Sequence, residues 1–390
     1  MKNLIPYGSQ LIDKNDISAV TKALLQPLIT TGPLVNKFEK SVERFLKVKY
    51  ALSCNSGTSA LMLAFLALGI KENDKVIIPS INFIASFNIL KSMRTKIFLC
   101  DVDPQTGQMT PENLTECIKK YKLNKIKAIV RMYHGGYCDE NTEKFQILKK
   151  KYRFKIIEDA CHAFGAAYKF KNKMYKIGSC KNADISTFSL HPVKTITSGE
   201  GGIVTTNYRS INDKISLYRS HGILRTKKHW HYDVIENGYN FRLSDLNCAL
   251  GLSQLKKTKL FIKKRKSIYE FYKKKLKCIK HLISFPLYPK FNQHAYHLAL
   301  VNISFDKLTI SKDDFFKKML QRGIMCQYHY RPIYRFSVYG KYHGVKKIDF
   351  KNSEKYHTTA ISLPMHCRLT QKNLTNIVDK IIYLLKKFKK

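Results

Sequence analysis

An α/β protein built on a mostly parallel sheet is what this sequence predicts, and three observations predict it. Apolar runs of strand length alternate with helical patterns through the first two-thirds of the chain, which is the signature of βα units covered on both faces. The 390 residues suffice to bury a large core. Beyond about residue 280 the texture changes to that of a smaller α+β unit. In chain order, Tyr50–Cys54 reads as a strand, Ser59–Leu68 as a helix, Lys75–Pro79 as a strand and Ala85–Met93 as a helix. Lys96–Cys100, Ala128–Met132 and Phe154–Glu158 continue the strands, with helices near 111–121 and 140–151 between them. One long helical pattern runs from Ser244 through Lys277. After it come alternating segments at His297–Ile303 and Ile324–His329, with a helix near 311–321. These readings give a large domain over 1–279 and a small C-terminal domain over 280–390, with no internal repeat and no long linker.

Composition removes several classes of function. No apolar stretch reaches membrane-spanning length; Leu61–Ile70 is apolar but too short. The first eight residues lack the apolar block of a secretory signal, so a cytoplasmic location is expected. Ten cysteines without a Cys-x-x-Cys pair suggest reduced thiols rather than a zinc site or a disulfide framework. No metal-ligand spacing occurs among the thirteen histidines, and no metal is expected. The net charge of +42 invites a nucleic-acid reading, but it is made of 57 lysines and only 13 arginines. Base reading and bidentate phosphate contacts favour arginine. The lysine excess therefore fits solvated helix faces, and its field would draw in an anionic small substrate.

Chemistry concentrates around Lys194, in the run Thr187–Gly202, and Asp159, which closes the apolar run from Phe154. A lysine in an aromatic, hydroxyl-rich turn and a carboxylate at a strand end are what pyridoxal 5′-phosphate (PLP) needs. The lysine holds the cofactor as a Schiff base, and the acid keeps the pyridine nitrogen protonated. Strand ends on the carboxyl side are where such folds bind ligands. Ser53–Ser59 lies between a strand and an apolar helix, a junction whose free N–H groups suit a phosphate. Phe83 follows the next strand and is placed to stack on a flat ring. His191 precedes Lys194 by one helical turn; a proton shuttle and a structural hydrogen bond are both open to it. Gly199–Gly202 reads as a tight turn ahead of a strand rather than as a phosphate loop.

Together these pieces resemble the DegT/StrS family of PLP-dependent sugar-nucleotide aminotransferases, of the aspartate-aminotransferase (type I) fold, nearly from end to end. The block Phe188–Gly202 is the most specific element. The resemblance implies Lys194, Asp159 and His162 as catalytic residues, the last beside the ring. It implies Ser56, Gly57, Thr58 and Ser189 at the phosphate, with Asn240 reaching it from the partner subunit of a homodimer. Finer similarity, in Ser220–Leu224, Asn240–Lys257, Gly323–Tyr334 and Ile361–Pro364, is to members acting on a UDP-linked sugar. That similarity implies a substrate pocket drawn from Tyr7, Thr30, His191, Arg242, Gln327, Tyr328, His329 and Tyr330. The implied reaction moves an amino group from L-glutamate to C4 of UDP-linked 2-acetamido-2,6-dideoxy-hexos-4-ulose, the cofactor cycling between PLP and pyridoxamine phosphate (PMP). GDP- or dTDP-linked 4-keto-6-deoxy sugars are the alternative acceptors. A PMP-dependent sugar dehydratase of the same fold carries histidine where this chain has Lys194, and a non-catalytic basic binding protein would be colourless. The chain departs from the family at Leu190, at Tyr328 and at Tyr133–Gly136.

Overall fold

The computed structural model describes residues 4–225, 230–339 and 349–390. Its strands are β1 (Tyr50–Cys54), β2 (Lys75–Pro79), β3 (Lys96–Cys100), β4 (Ile126–Met132) and β5 (Lys155–Asp159). A small hairpin of β6 (Ala167–Phe170) and β7 (Lys173–Lys176) follows, then β8 (Ile185–Ser189) and β9 (Gly202–Thr206). Seven of them form one sheet in the order β1-β9-β8-β5-β4-β2-β3. Strand β9 runs antiparallel to both β1 and β8, and the other pairs are parallel. The strands of the sheet interior are almost wholly buried, which explains their unbroken Val, Ile and Ala runs. The expected mostly parallel α/β sheet is therefore what forms.

Helices α1 (Lys14–Leu24), α2 (Pro33–Leu46), α3 (Gly57–Ala67), α4 (Ala85–Ser92), α5 (Pro111–Lys120), α6 (Thr142–Tyr152) and α7 (Arg209–Arg219) accompany this sheet. The long helix expected over 244–277 is two helices, α8 (Asp245–Lys256) and α9 (Thr258–Lys275). The break sits at Lys257, whose N–H bonds back to Gln254 O, while Thr258 Oγ1 takes up Leu255 O. Its ammonium is drawn to Asp13 (2.9 Å) and Asp16 (2.6 Å) at the start of α1. Period alone cannot register such a step, because the apolar stripe continues across it.

A second sheet, β12 (Ile283–Ser284), β13 (Ala299–Ile303) and β14 (Ala360–Leu363), is antiparallel, and the short β10 (Ile223–Arg225) and β11 (Tyr232–Val234) pair on their own. It packs with α10 (Lys312–Gln321), α11 (Lys351–Thr359) and α12 (Gln371–Lys387). The run Ile324–His329, read as alternating, forms only single bridges, Ile5 to Ile324 and Gln327 to Ser362. One core contains Ile268, Tyr269 and Tyr272 of α9, and Leu276 just after it, with β13, β14 and α12. Phe261, at the other end of the same helix, belongs to a core under the seven-stranded sheet. Ile333, Tyr334 and Phe350 return to that sheet's helical layer. We keep the division into 1–279 and 280–390 as a proposal, supported by the separate core of the second sheet.

The entry to α2 depends on a residue far away in sequence. Asp245, fully buried at the start of α8, accepts the N–H groups of Gly32 (2.7 Å) and Leu34 (2.9 Å). It thus caps a helix that has no cap of its own. Replacing Asp245 with Ala leaves two half-buried N–H groups at the α2 entry without their acceptor. The expected loss is about 2 kcal/mol of unfolding free energy, read from urea denaturation; an unchanged midpoint would contradict the cap.

Candidate active site

A cavity of about 630 Å³ opens at the carboxyl ends of β1, β2, β5 and β8. The β1–α3 junction brings Ser56, Gly57 and Thr58; the loop after β2 brings Phe83; the end of β5 brings Asp159, Cys161 and His162. The β8–β9 turn brings Ser189, His191 and Lys194, and a wall from elsewhere in the chain is made of Tyr7 and Gln327–Tyr330. Three expected residues lie outside it. Thr30 and Asn240 are exposed, in bridges to Ser244 and Ser220, and Arg242 is half-buried beyond the cavity wall. Asn240 was expected from a partner subunit, and in its own chain its carbonyl meets Asn55 Nδ2 (3.3 Å).

Asp159 sits at the last position of β5, opposite Thr187 of β8. It is 3% exposed and accepts the Cys161 N–H (3.2 Å). Burial pushes its carboxyl above the usual range, while hydrogen bonding at Cys161 and nearby Lys194 pull the other way. Lys194 follows a turn in which its N–H bonds to His191 O (2.9 Å). This segment is not helical, so His191 faces the cavity through the turn and not through helical spacing. Burial lowers the Lys194 amine, favouring its neutral form, and Asp159 and Cys161 oppose that.

The phosphate-binding expectation meets a suitable frame. Ser56 Oγ caps α3 by accepting the Ser59 N–H (3.0 Å), and the first N–H groups of the helix have no helical acceptor. A Cβ on Gly57 would stand 2.7 Å from that of Ser189, so only glycine allows this close approach. Phe83 is 54% exposed and tilted against Tyr330, a flat apolar face at the cavity edge. A planar, phosphate-bearing pyridine fits this donor set: amine, buried acid, helix N-terminus and aromatic face.

Hydrogen-bond polarity assigns the tautomer of His162. Gly135 N–H donates to its Nδ1 (3.2 Å), so the ring proton lies on Nε2 and points to Tyr330 Oη (2.9 Å). Tyr330 therefore keeps its own O–H for a partner in the cavity. The departure at Tyr133–Gly136 is part of this arrangement. Gly136, at φ +81°, carries no Cβ that would strike the His162 carbonyl at 2.4 Å. Tyr356 donates to His329 O (2.8 Å), which makes His134 Nε2 the donor to Tyr356 (2.7 Å) and leaves buried His134 Nδ1 without a partner.

Sequence reading missed His297, whose ring centroid lies 4.3 Å from that of His162 and whose Nδ1 is buried and unpartnered. It lies at the start of a strand-like segment, where nothing in the local pattern connects it to Asp159 or Lys194. Cys161 and Glu200 also line the cavity. Among the described residues, no group of three or more His, Cys, Asp or Glu could hold a metal ion, and no helix is long and apolar enough to cross a membrane.

Comparison with known proteins matches the DegT/DnrJ/EryC1/StrS aminotransferase family model over residues 10–382. The chain is 38% identical over 389 residues, 99% of both chains, to UDP-4-amino-4,6-dideoxy-N-acetyl-β-L-altrosamine transaminase of Campylobacter jejuni strain 81-176. It is 28% identical to GDP-perosamine synthase of Caulobacter vibrioides, over 98% of both. The solved structure of Helicobacter pylori PseC, an aminotransferase of pseudaminic acid biosynthesis, superposes with a TM-score of 0.89. That match has 31% identity and covers 99% of this chain and 100% of that one.

Burial holds the His162, His297 and His329 imidazoles well below their usual range, and those of His134, His294, His357 and His366 at about 4. The unfolded chain, with histidines near 6.5, then binds more protons than the native one below that pH. Stability should be full above about pH 6.5 and fall as pH drops toward 4. Urea midpoints measured from pH 7.5 to 4.5 at fixed ionic strength check this, and His134→Gln should flatten the decline.

Proposed function

Because the chain belongs to the DegT/DnrJ/EryC1/StrS aminotransferase family, we propose that this cavity passes an amino group from L-glutamate to C4 of UDP-linked 2-acetamido-2,6-dideoxy-hexos-4-ulose, a step of the pseudaminic acid type. The protein is a PLP-dependent sugar-nucleotide aminotransferase. One observation carries the reading: a burial-lowered amine and a burial-raised acid, Lys194 and Asp159, line one cavity beside the N-terminus of α3.

When bound, the cofactor supplies an electron-accepting ring and a carbon that carries the amino group between the two half-reactions. Lys194 is the residue that would hold it. Its Nζ, favoured neutral by burial, is also the base that takes the proton from the donor's α-carbon. Asp159 would meet the pyridine nitrogen, its buried charge compensated by the proton that nitrogen carries. Ser56, Gly57, Thr58 and Ser189 would bind the phosphate, with Asn240 of a second subunit. Phe83 and His162 would flank the ring. The free O–H of Tyr330 is a donor for a substrate or cofactor oxygen, and its direction is set by His162.

Tyr7, His191, Gln327, Tyr328 and His329 would shape the sugar site, and Thr30 and Arg242 would meet the nucleotide across a homodimer interface. Support for a dimer comes from exposed apolar residues next to the residues assigned to it. Leu24, Leu25, Leu28 and Ile29 precede Thr30, and Tyr232, Val234 and Ile235 precede Asn240.

Two outcomes are expected. Lys194→Ala should lose covalent cofactor retention on dialysis and at least about a thousandfold in turnover; sustained turnover would remove the assignment. With L-glutamate and a panel of 4-keto-6-deoxy sugar nucleotides, mass spectrometry should find the 4-amino product chiefly from the UDP-linked N-acetyl sugar. Preference for a GDP or dTDP sugar, or a deoxy product without nitrogen, would favour the alternatives.

A further inference from the structure

We propose that Arg265 is the positioning residue of the Lys194 turn, its guanidinium bracketing the main chain on both sides of the cavity floor. The inference rests on reading Lys194 as the cofactor lysine. Arg265 is 2% exposed and occupies the apolar stripe of α9 between Phe261 and Ile268, where a leucine would pack at lower desolvation cost. No carboxylate pairs with it among the described residues. Its Nη1 donates to His297 O (3.1 Å) and Met365 O (3.0 Å). Its Nη2 donates to Val193 O (3.4 Å) and Lys194 O (3.3 Å). Nε has no partner.

A buried guanidinium without a carboxylate is costly, and here its four main-chain bonds converge on the Lys194 turn and its neighbours, with the Cys367 thiol and Tyr137 as the other titratable groups facing it. Lys194 carries the amine, and Val193 is the residue before it in the turn. His297 places the ring that lies against His162, and Met365, just after β14, accepts at its carbonyl while its N–H holds the Tyr7 carbonyl (2.9 Å). Arg265 thus joins the second sheet to the Lys194 turn through rigid carbonyls. Its charge also opposes protonation of the Lys194 amine, whereas Asp159 and Cys161 favour it. The imidazoles of His134, His162, His297 and His329 around the amine are kept neutral by burial.

The test uses the full chain freed of cofactor. Lys194 is labelled by acetic anhydride across a pH series and quantified by peptide mass spectrometry, and the growth of the visible band on adding PLP is timed. Arg265→Met should raise the labelling midpoint by about one unit and slow the band at least about tenfold. Arg265→Lys keeps the charge but cannot fork to four carbonyls, so its midpoint should match wild type while its band grows more slowly. Wild-type midpoint and rate in Arg265→Met, with only a lower melting temperature, would overturn the proposal. Should Arg265→Met not fold, a wild-type band rate in Arg265→Lys would overturn it, and a slowed rate at an unshifted midpoint supports it. A wild-type protein that develops no band defeats the cofactor reading instead, and the labelling midpoints still decide on Arg265.

Discussion

The pairing of β5 with β8, Asp159 beside Thr187, is the constraint from which the site follows. Parallel strands end together, so an acid closing one strand and a turn leaving its neighbour must meet at the same edge. Apolar packing below that edge then strips water from both groups. Burial raises the acid and lowers the amine, bringing them toward states in which each needs a partner. Under the proposed function a cationic pyridine would meet the acid and a carbonyl carbon the amine. The free N–H groups at the α3 N-terminus, proposed for the phosphate, sit at the same edge for the same topological reason.

Much of this was legible because the sheet is buried on both faces, which gives its strands apolar runs such as Val76–Ile78 and Ala128–Val130. Lys194, Asp159 and Ser56–Thr58 were readable because each stands at a strand end or a βα turn. Tyr7 and Gln327–Tyr330 came through the family resemblance. What stayed hidden depends on tertiary contact. His297 and Arg265 have no local signal, and Gly135 and Gly136 read as a departure until their contact with His162 is seen. The step at Lys257 is invisible to periodicity, since the apolar stripe runs across it and its ion pairs with α1 are tertiary. His191 was placed by a helical spacing that the turn does not have, although it faces the cavity all the same. Thr30, Arg242 and Asn240 lie outside the cavity of their own chain, where a single sequence cannot show to which subunit's site a residue belongs.

The electrostatics of the molecule are layered. Lysines dominate the exposed helix faces, while burial keeps the His162, His297 and His329 imidazoles at the cavity uncharged. The diffuse field of these lysines favours the approach of an anionic sugar nucleotide. Under the proposed function, hydrogen bonds such as that of Tyr330, whose O–H is free because His162 supplies the other proton, would direct the sugar end.

The strand-like segment holding Tyr7 has a further implication. Ile5 exchanges backbone hydrogen bonds with Gly323 and Met325, and Tyr7 O accepts from Met365. One wall of the cavity is therefore held together by segments hundreds of residues apart in the chain. The large sheet does not depend on those bonds, but this wall does. A chain cut before Met365 would therefore keep all seven strands of the large sheet, complete by Thr206, and lose the bond that fixes Tyr7 in the wall proposed for the sugar.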